Sequence, residues 1–239
     1  MARKVVTASK PSLPQKIGVE FLGTFFVTLV ATGVDIGYYT GSHVDYVSRW
    51  LARGFIATAM IYAFSGISGA HIDPAISLGF AVRRAMPVAQ MLWYWAAQMA
   101  GGFAAAGLAM ALWKNDLGLG ASHPGPQYTQ FEAVVAEVVL TFLLMIVILA
   151  CAEDESSVGR QAALAVGLTI AACGFFAGPV SGASMNPARS IPPQLLAGMS
   201  GLSWIYALGP CAGAALAAAA MQFLSPRPPA GERKAAKGE

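Results

Sequence analysis

The sequence predicts an all-α membrane protein with six transmembrane helices and two re-entrant half-helices, arranged as an inverted repeat. Three observations support this prediction: an apolar composition, six long apolar stretches, and a ten-residue motif that occurs twice. Of the 239 residues, 56% are hydrophobic and 11% are charged, whereas roughly 25% are charged in a typical soluble domain. The composition therefore leaves no room for a separate soluble domain.

Each apolar stretch is close to the roughly 20 residues that cross a bilayer as a helix. The six predicted spans are residues 17–37, 50–67, 87–113, 131–151, 161–178 and 203–224. They form one predicted membrane domain over residues 17–225, between a cytosolic tail at 1–16 and a disordered cytosolic tail at 226–239.

The basic residues predict the orientation. With both termini in the cytosol, eleven of the fifteen Lys and Arg residues lie on the cytosolic side, as the positive-inside rule favours. The N-terminal residues lack the short apolar core of a signal peptide. We therefore expect a multi-pass protein of the plasma (inner) membrane with both termini cytosolic, and no nucleic-acid partner.

The motif SGAHIDPAIS at 68–77 recurs as SGASMNPARS at 181–190, with six of ten positions identical. A second correspondence joins Glu20 in EFLGTFF to Glu137 in EVVLTFL. The predicted repeats, 17–115 and 131–225, therefore hold three spans each. Since an odd number of spans reverses the chain, the second repeat enters the membrane from the opposite side.

A short apolar segment begins within each motif, at residues 74–82 and 187–196. Each segment is too short to cross the membrane and begins with a strong helix start. Asp73 or Asn186 provides the N-cap, and Pro74 or Pro187 occupies the first helical position. Non-helical backbone at membrane depth is tolerated where it lines a wet cavity. The preceding Ser-Gly-Ala runs are therefore expected to present carbonyl groups to a pore, with the two half-helices meeting near the midplane.

These motifs resemble the paired Asn-Pro-Ala signatures of the aquaporin and glycerol-facilitator family, the major intrinsic proteins. The resemblance covers about residues 17–225. It implies a six-helix channel for water and small solutes that usually assembles as a homotetramer in the bilayer. It implies no enzymatic activity, cofactor or metal. The implied pore centre consists of Asp73, Pro74, Ala75, Asn186, Pro187 and Ala188.

The resemblance also implies a constriction of four positions, which ungapped counting assigns to Arg53, Gly174, Ala183 and Arg189. In the family this last arginine donates hydrogen bonds to solutes and repels cations. Water-selective members of the family have an aromatic residue at the first position and a histidine at the second. Because Gly174 and Ala183 are small, we expect a wide filter that admits a solute larger than water.

Arg53 has two interpretations. A charge inside a span costs on the order of 3 kcal/mol and usually faces a cavity or a partner. Arg53 is either a second pore arginine, which favours anionic or strongly hydrogen-bonding solutes including weak acids, or it snorkels to the surface or pairs with Asp35 or Asp45.

Asp73 departs from the family pattern, because an ionised Asp only accepts hydrogen bonds whereas Asn also donates. Its charge would offset part of the positive field of the helix ends. The alternative is that Asp73 is tolerated as a helix cap and leaves transport unchanged. Glu20, Glu137 and His71 are interpreted as braces of the re-entrant loops rather than as a proton relay or a pH gate.

The predicted function is a passive channel for small uncharged or weakly acidic solutes and water. A water-selective channel is one alternative, and a non-conducting homologue is another. An intramembrane serine hydrolase using Ser184 and His71 is the alternative from a different class. The duplication of the motif argues against this hydrolase, because a nucleophile has no reason to lie within a duplicated cap.

Overall fold

The computed structural model describes residues 10–42, 44–113, 117–152, 161–224 and 230–238. Residues 1–9, 226–229 and 239 of the two predicted tails lie outside this range. The helices are α1 (Leu13–Tyr39), α2 (Tyr46–Ser68), α3 (Pro74–Val82), α4 (Val88–Leu112), α5 (Leu117–Gly120), α6 (Gln130–Ala152), α7 (Ala162–Ser181), α8 (Pro187–Leu196), α9 (Ser203–Leu224) and α10 (Ala230–Lys237).

The predicted fold class is confirmed. Among the described residues, six helices are long and apolar enough to span a membrane: α1, α2, α4, α6, α7 and α9. The half-helices α3 and α8 have the predicted bounds, because each begins immediately after its capping residue. Large apolar side chains such as Phe176 and Phe223 are exposed on the outside of the bundle, where they face the bilayer.

The two repeats have matching helix contacts. α1 packs against α2 and α4 in the first half, and α6 packs against α7 and α9 in the second. Each half-helix packs against the last span of the other half, α3 on α9 and α8 on α4. The halves therefore interlock through their re-entrant segments.

Paired glycines allow the helices to approach closely. A Cβ on Gly54 of α2 would collide with the carbonyl oxygen of Gly167 in α7, and a Cβ on Gly167 would lie 2.5 Å from the carbonyl oxygen of Gly54. Gly101 and Gly213 repeat the arrangement, since each faces backbone of the first helix in its own half. Such close approach of small residues stabilises helix association in lipid.

We expect Gly167→Ala to lower stability by roughly 1–3 kcal/mol, because the new methyl group overlaps both Gly54 and the hydroxyl of Thr58. Gly66→Ala is the matched control, since a Cβ there has no neighbour within 4 Å and should be neutral or stabilise by up to about 1 kcal/mol. Melting temperatures in detergent measure both. Equal melting temperatures would contradict the close crossing of α2 and α7.

Both predicted tails need correction at their described ends. α1 begins at Leu13 rather than at residue 17, because Ser12 and Gln15 form a capping box in which the Ser12 N–H donates to Gln15 Oε1 at 2.8 Å. The predicted disordered tail contains α10, which packs against α2, α3 and α6. Its alanines and lysines are strong helix formers, and Ala236 is fully buried.

Candidate functional site

A cavity of ≈ 320 Å³ lies between the two repeats. Arg53 and Arg189 line what we call the arginine end, and Gly69 and Ala235 line the tail end. Arg53 and Ser68, near the tail end, are separated by fifteen residues of α2, which corresponds to roughly 22 Å along a helix. The cavity therefore extends along much of the membrane thickness.

The starts of the two half-helices meet at this cavity. Asp73 Oδ1 accepts from the Ala75 N–H at 2.8 Å, and Asn186 Oδ1 accepts from the Ala188 N–H at 2.9 Å. Asn186 Nδ2 also donates to the carbonyl oxygen of Ile72 in the other motif, at 2.9 Å. The structure thus brings the predicted pore-centre residues together, with the prolines and alanines buried in the first turns.

Two buried glutamates hold the re-entrant loops. Glu20 accepts from the N–H groups of His71 at 2.9 Å and Ile72 at 2.7 Å. Glu137 accepts in the same way from Ser184 at 2.8 Å and Met185 at 2.7 Å. One carboxylate therefore satisfies two backbone donors in each loop, a geometry that favours the bracing interpretation of both glutamates.

The loops have matching, strained backbones. The φ angles are positive at Ala70 and Ile72 (49° and 48°) and at Ala183 and Met185 (41° and 56°). Such left-handed conformations cost of order 1–3 kcal/mol each for residues with side chains. The surrounding structure must therefore supply enough contacts to hold them.

Two tyrosines that were not predicted from the sequence add to these contacts. Tyr94 donates to the carbonyl oxygen of Ser68 at 2.8 Å, and Tyr206 donates to that of Ser181 at 2.6 Å. Each tyrosine lies in the last span of its repeat, Tyr94 at 21 residues after Asp73 and Tyr206 at 20 residues after Asn186. Their equivalent positions in the two repeats could have identified them from the sequence.

Arg53 has features of two of the interpretations, the pore arginine and the partner of Asp35, and it is too buried to reach the surface. It lines the cavity, and it forms an ion pair with Asp35. Its Nη1 also donates to the carbonyl oxygen of Gly182 at 2.9 Å. Asp35 lies in α1 and is only 2% exposed. Asp45 instead caps α2 by accepting from the Ser48 N–H at 2.7 Å.

Arg189 lies beside Arg53 and shares its partner. Its Nη2 pairs with the same Asp35 oxygen, Oδ2, and its Nη1 donates to the hydroxyl of Ser122. Arg49 binds the other oxygen, Oδ1, at 2.6 Å. One buried carboxylate therefore holds three guanidinium groups at the arginine end.

Gly174, by contrast, is not among the residues that line the cavity. A Cβ on Gly174 or Gly178 would overlap the indole ring of Trp50, which is 1% exposed. The Arg53 guanidinium lies over this ring, 4.3 Å from its centroid. The space that Gly174 leaves is therefore occupied by Trp50, whereas Ala183 does line the cavity.

His71 and Ser184 lie in separate hydrogen-bond groups. His71 Nδ1 is 3.0 Å from Ser77 Oγ, and the ring stacks on Phe80. Ser184 Oγ donates to the carbonyl oxygen of Asn186 at 3.0 Å and contacts the hydroxyl of Ser190. Each side chain thus bonds within its own loop and half-helix, rather than forming a nucleophile and base.

α10 lies across the tail end of the cavity. Ala235 is part of the cavity wall, and its carbonyl oxygen occupies the space where Gly69 lacks a side chain. The Lys16 ammonium group of α1 donates to the carbonyl oxygen of Lys237. The last helix is therefore attached at its side to the cavity wall and at its end to α1.

We expect a chain truncated after Leu224 to conduct several-fold faster than the full chain, because it lacks the helix that covers this mouth. The measurement is osmotic swelling or shrinkage of proteoliposomes at equal protein density. Arg233→Ala, which shortens an exposed α10 side chain, is the control for altered tail charge. Equal rates for the full and truncated chains would show that α10 leaves the pathway open.

A family model described as Major intrinsic protein matches residues 7–221 of this chain. The chain belongs to the major intrinsic protein family. Major intrinsic proteins are membrane channels rather than enzymes, so the serine hydrolase interpretation of Ser184 is excluded. The chain is accordingly a multi-pass membrane channel protein.

Aquaporins are among the similar members of this family. "Aquaporin NIP2-1" of Zea mays is 41% identical over 215 residues, which cover 88% of this chain and 71% of that protein. "Aquaporin NIP1-4" of Oryza sativa subsp. japonica is 41% identical over 211 residues, covering 88% and 77%. The X-ray structure of the aquaglyceroporin from Plasmodium falciparum has a TM-score of 0.81 at 22% identity, covering 90% of this chain and 98% of that one, and supports the fold.

Proposed function

We propose that this protein is a passive channel for small uncharged or weakly acidic solutes and water. The observation that carries the proposal is the pair of guanidinium groups, Arg53 and Arg189, in one end of a cavity that is otherwise mostly apolar. Two neighbouring guanidinium groups present N–H donors in a fixed geometry that suits solutes with several acceptor oxygens. Their positive charge opposes the entry of cations.

The proposed pathway has two constrictions. Asp73 and Asn186, with the first turns that they cap, form the pore centre, where positive helix ends oppose cations. Arg53, Ala183 and Arg189 form the filter. Gly174 contributes indirectly, because it lets Trp50 pack beneath Arg53.

A water-selective channel is the second candidate. Trp50 favours it, because this ring fills the space that Gly174 would otherwise leave open. A filter narrowed in this way would exclude glycerol-sized solutes. The two candidates therefore differ in the ratio of solute flux to water flux.

The assembly and location belong to the same proposal. The exposed apolar faces of the bundle suit both lipid and contacts between copies, and we propose a homotetramer with one pore per subunit. The distribution of basic residues favours the plasma (inner) membrane with both termini in the cytosol.

The test is stopped-flow light scattering of proteoliposomes with water, glycerol, urea and small carboxylic acids across pH. We expect flux of glycerol or urea in addition to water, and weak-acid flux that falls as pH rises, because ionisation depletes the neutral acid. Arg53→Phe should reduce solute flux relative to water flux, because it replaces a filter donor with an aromatic ring.

Three outcomes count against parts of the proposal. Water flux alone supports the water-selective candidate. An unchanged solute profile in Arg53→Phe removes Arg53 from the filter. The absence of any flux, in protein that remains folded after reconstitution, favours a non-conducting homologue.

A further inference from the structure

The arginine end contains a carboxylate that the proposed transport pathway does not use. Asp35 lies in α1 and is not among the residues that line the cavity. Its Oδ2 pairs with both filter arginines, Arg53 and Arg189, and its Oδ1 pairs with Arg49 at 2.6 Å. A buried charge in a membrane helix is costly and generally marks a function.

The three arginines have other contacts that keep them in place. Arg49 lies 4.8 Å and 4.6 Å from the ring centroids of Tyr38 and Trp50. Arg53 donates to a backbone carbonyl group, and Arg189 donates to a serine hydroxyl. Because neutral partners also hold each guanidinium group, removal of Asp35 would leave the cluster largely assembled but without its negative charge.

The cluster is also short of acceptors. Within the residues that the structure describes, Nε of Arg53 and Nε of Arg189 are buried and have no hydrogen-bond partner. Three guanidinium groups and one carboxylate give a net charge of +2, which would become +3 without Asp35. The Asp35 carboxylate therefore takes the N–H donors of Arg53 and Arg189 that a small anion entering the filter would otherwise bind.

We propose that Asp35 is a selectivity-determining residue: it acts as a built-in anion that occupies the site between Arg53 and Arg189 and thereby favours neutral solutes over anions. This inference rests on the proposed channel function. Asp35 acts through the two arginines and is a positioning residue, not a part of the pore wall. Without it, the filter would bind and pass small anions.

The first experiment compares Asp35→Asn with the parental protein in proteoliposomes, using nitrate, which stays ionised across pH, and water. Valinomycin and potassium balance the charge. We expect the ratio of nitrate flux to water flux to rise at least about tenfold in Asp35→Asn, equivalent to about 1.4 kcal/mol. Asp35→Glu, which restores the charge, should return the ratio toward the parental value.

The matched control is Asp45→Asn, which removes an exposed carboxylate beside the start of α2. The backbone N–H of Ser48 lowers the pKa of Asp45, so this group is charged at neutral pH and its removal changes the net charge equally. We expect its nitrate-to-water ratio to equal the parental ratio. A rise as large as that in Asp35→Asn would show that total charge, and not the Asp35 site, sets the ratio.

The second experiment does not depend on conduction. Asp35→Ala leaves a space the size of a carboxylate, and formate should raise its melting temperature in detergent more than it raises that of the parental protein, with gluconate as the salt reference. If parental proteoliposomes conduct nothing, the proposed function fails while this measurement still tests Asp35. The inference is overturned if Asp35→Asn keeps the parental ratio of nitrate flux to water flux. It is also overturned if formate raises the melting temperature of Asp35→Ala no more than that of the parental protein.

Discussion

The largest loss of stability is expected for Glu137→Ala, at roughly 2–6 kcal/mol. This substitution leaves the N–H groups of Ser184 and Met185 buried without their acceptor, and each such group costs about 1–3 kcal/mol. The loss is comparable with the 5–15 kcal/mol typical of a whole folded protein. We expect little monodisperse protein after detergent extraction and a strongly lowered melting temperature in what remains.

Glu20→Ala should be less damaging, although Glu20 plays the equivalent role. Gln98 donates to Glu20 at 2.8 Å, and its own Oε1 is buried with no partner among the described residues. This oxygen can replace the lost acceptor, whereas the equivalent position in the second repeat is Pro210.

Glu132→Ala is the control for the loss of a glutamate, since Glu132 is exposed and only caps the start of α6. It should lower the melting temperature much less than Glu137→Ala does, because it removes only an exposed capping-box contact with Thr129. The bracing interpretation would be contradicted if Glu137→Ala melted at the same temperature as Glu132→Ala.

The fold could be predicted because its determinants are local or repeated. Span length, cap chemistry and the duplicated motif each act over short stretches, so α3 and α8 begin and end where the sequence predicts. The equivalence of Glu20 and Glu137 was also visible, since each occupies the same position in its repeat.

The arginine end could not be predicted in full, because it depends on the relative orientation of four segments. These are α1, α2, α8 and the segment that contains Ser122. Asp35, in α1, was recognised as one possible partner of Arg53, but its simultaneous pairing with Arg189 requires the three-dimensional arrangement. Spacing alone also could not show that Trp50 fills the gap at Gly174. α10 was missed because a short, charged helix is stable only through its contacts with the mouth of the cavity.

Asp73→Asn is the second substitution with a large expected effect, here on cation leak. A unit charge 4 Å from a permeating cation is worth about 4 kcal/mol at an effective dielectric constant of 20. An ionised Asp73 at the cavity wall would therefore lower the barrier to protons and other cations. We expect Asp73→Asn to reduce proton leak in proteoliposomes while neutral solute flux is retained. The difference in proton leak between the parental protein and Asp73→Asn should widen as pH rises, because carboxyl groups ionise with rising pH.

The same substitution should strengthen the contact between the two loops. Asn186 Nδ2 donates to the carbonyl oxygen of Ile72, and the repeat makes Met185 the equivalent of Ile72. An asparagine at 73 could therefore donate to Met185 and complete a symmetric pair of hydrogen bonds, raising stability by about 1 kcal/mol. The reciprocal variant, Asn186→Asp, loses the existing bond and should melt at a lower temperature. Equal melting temperatures and equal leaks in Asp73→Asn and the parental protein at every pH would leave Asp73 with no function beyond capping α3.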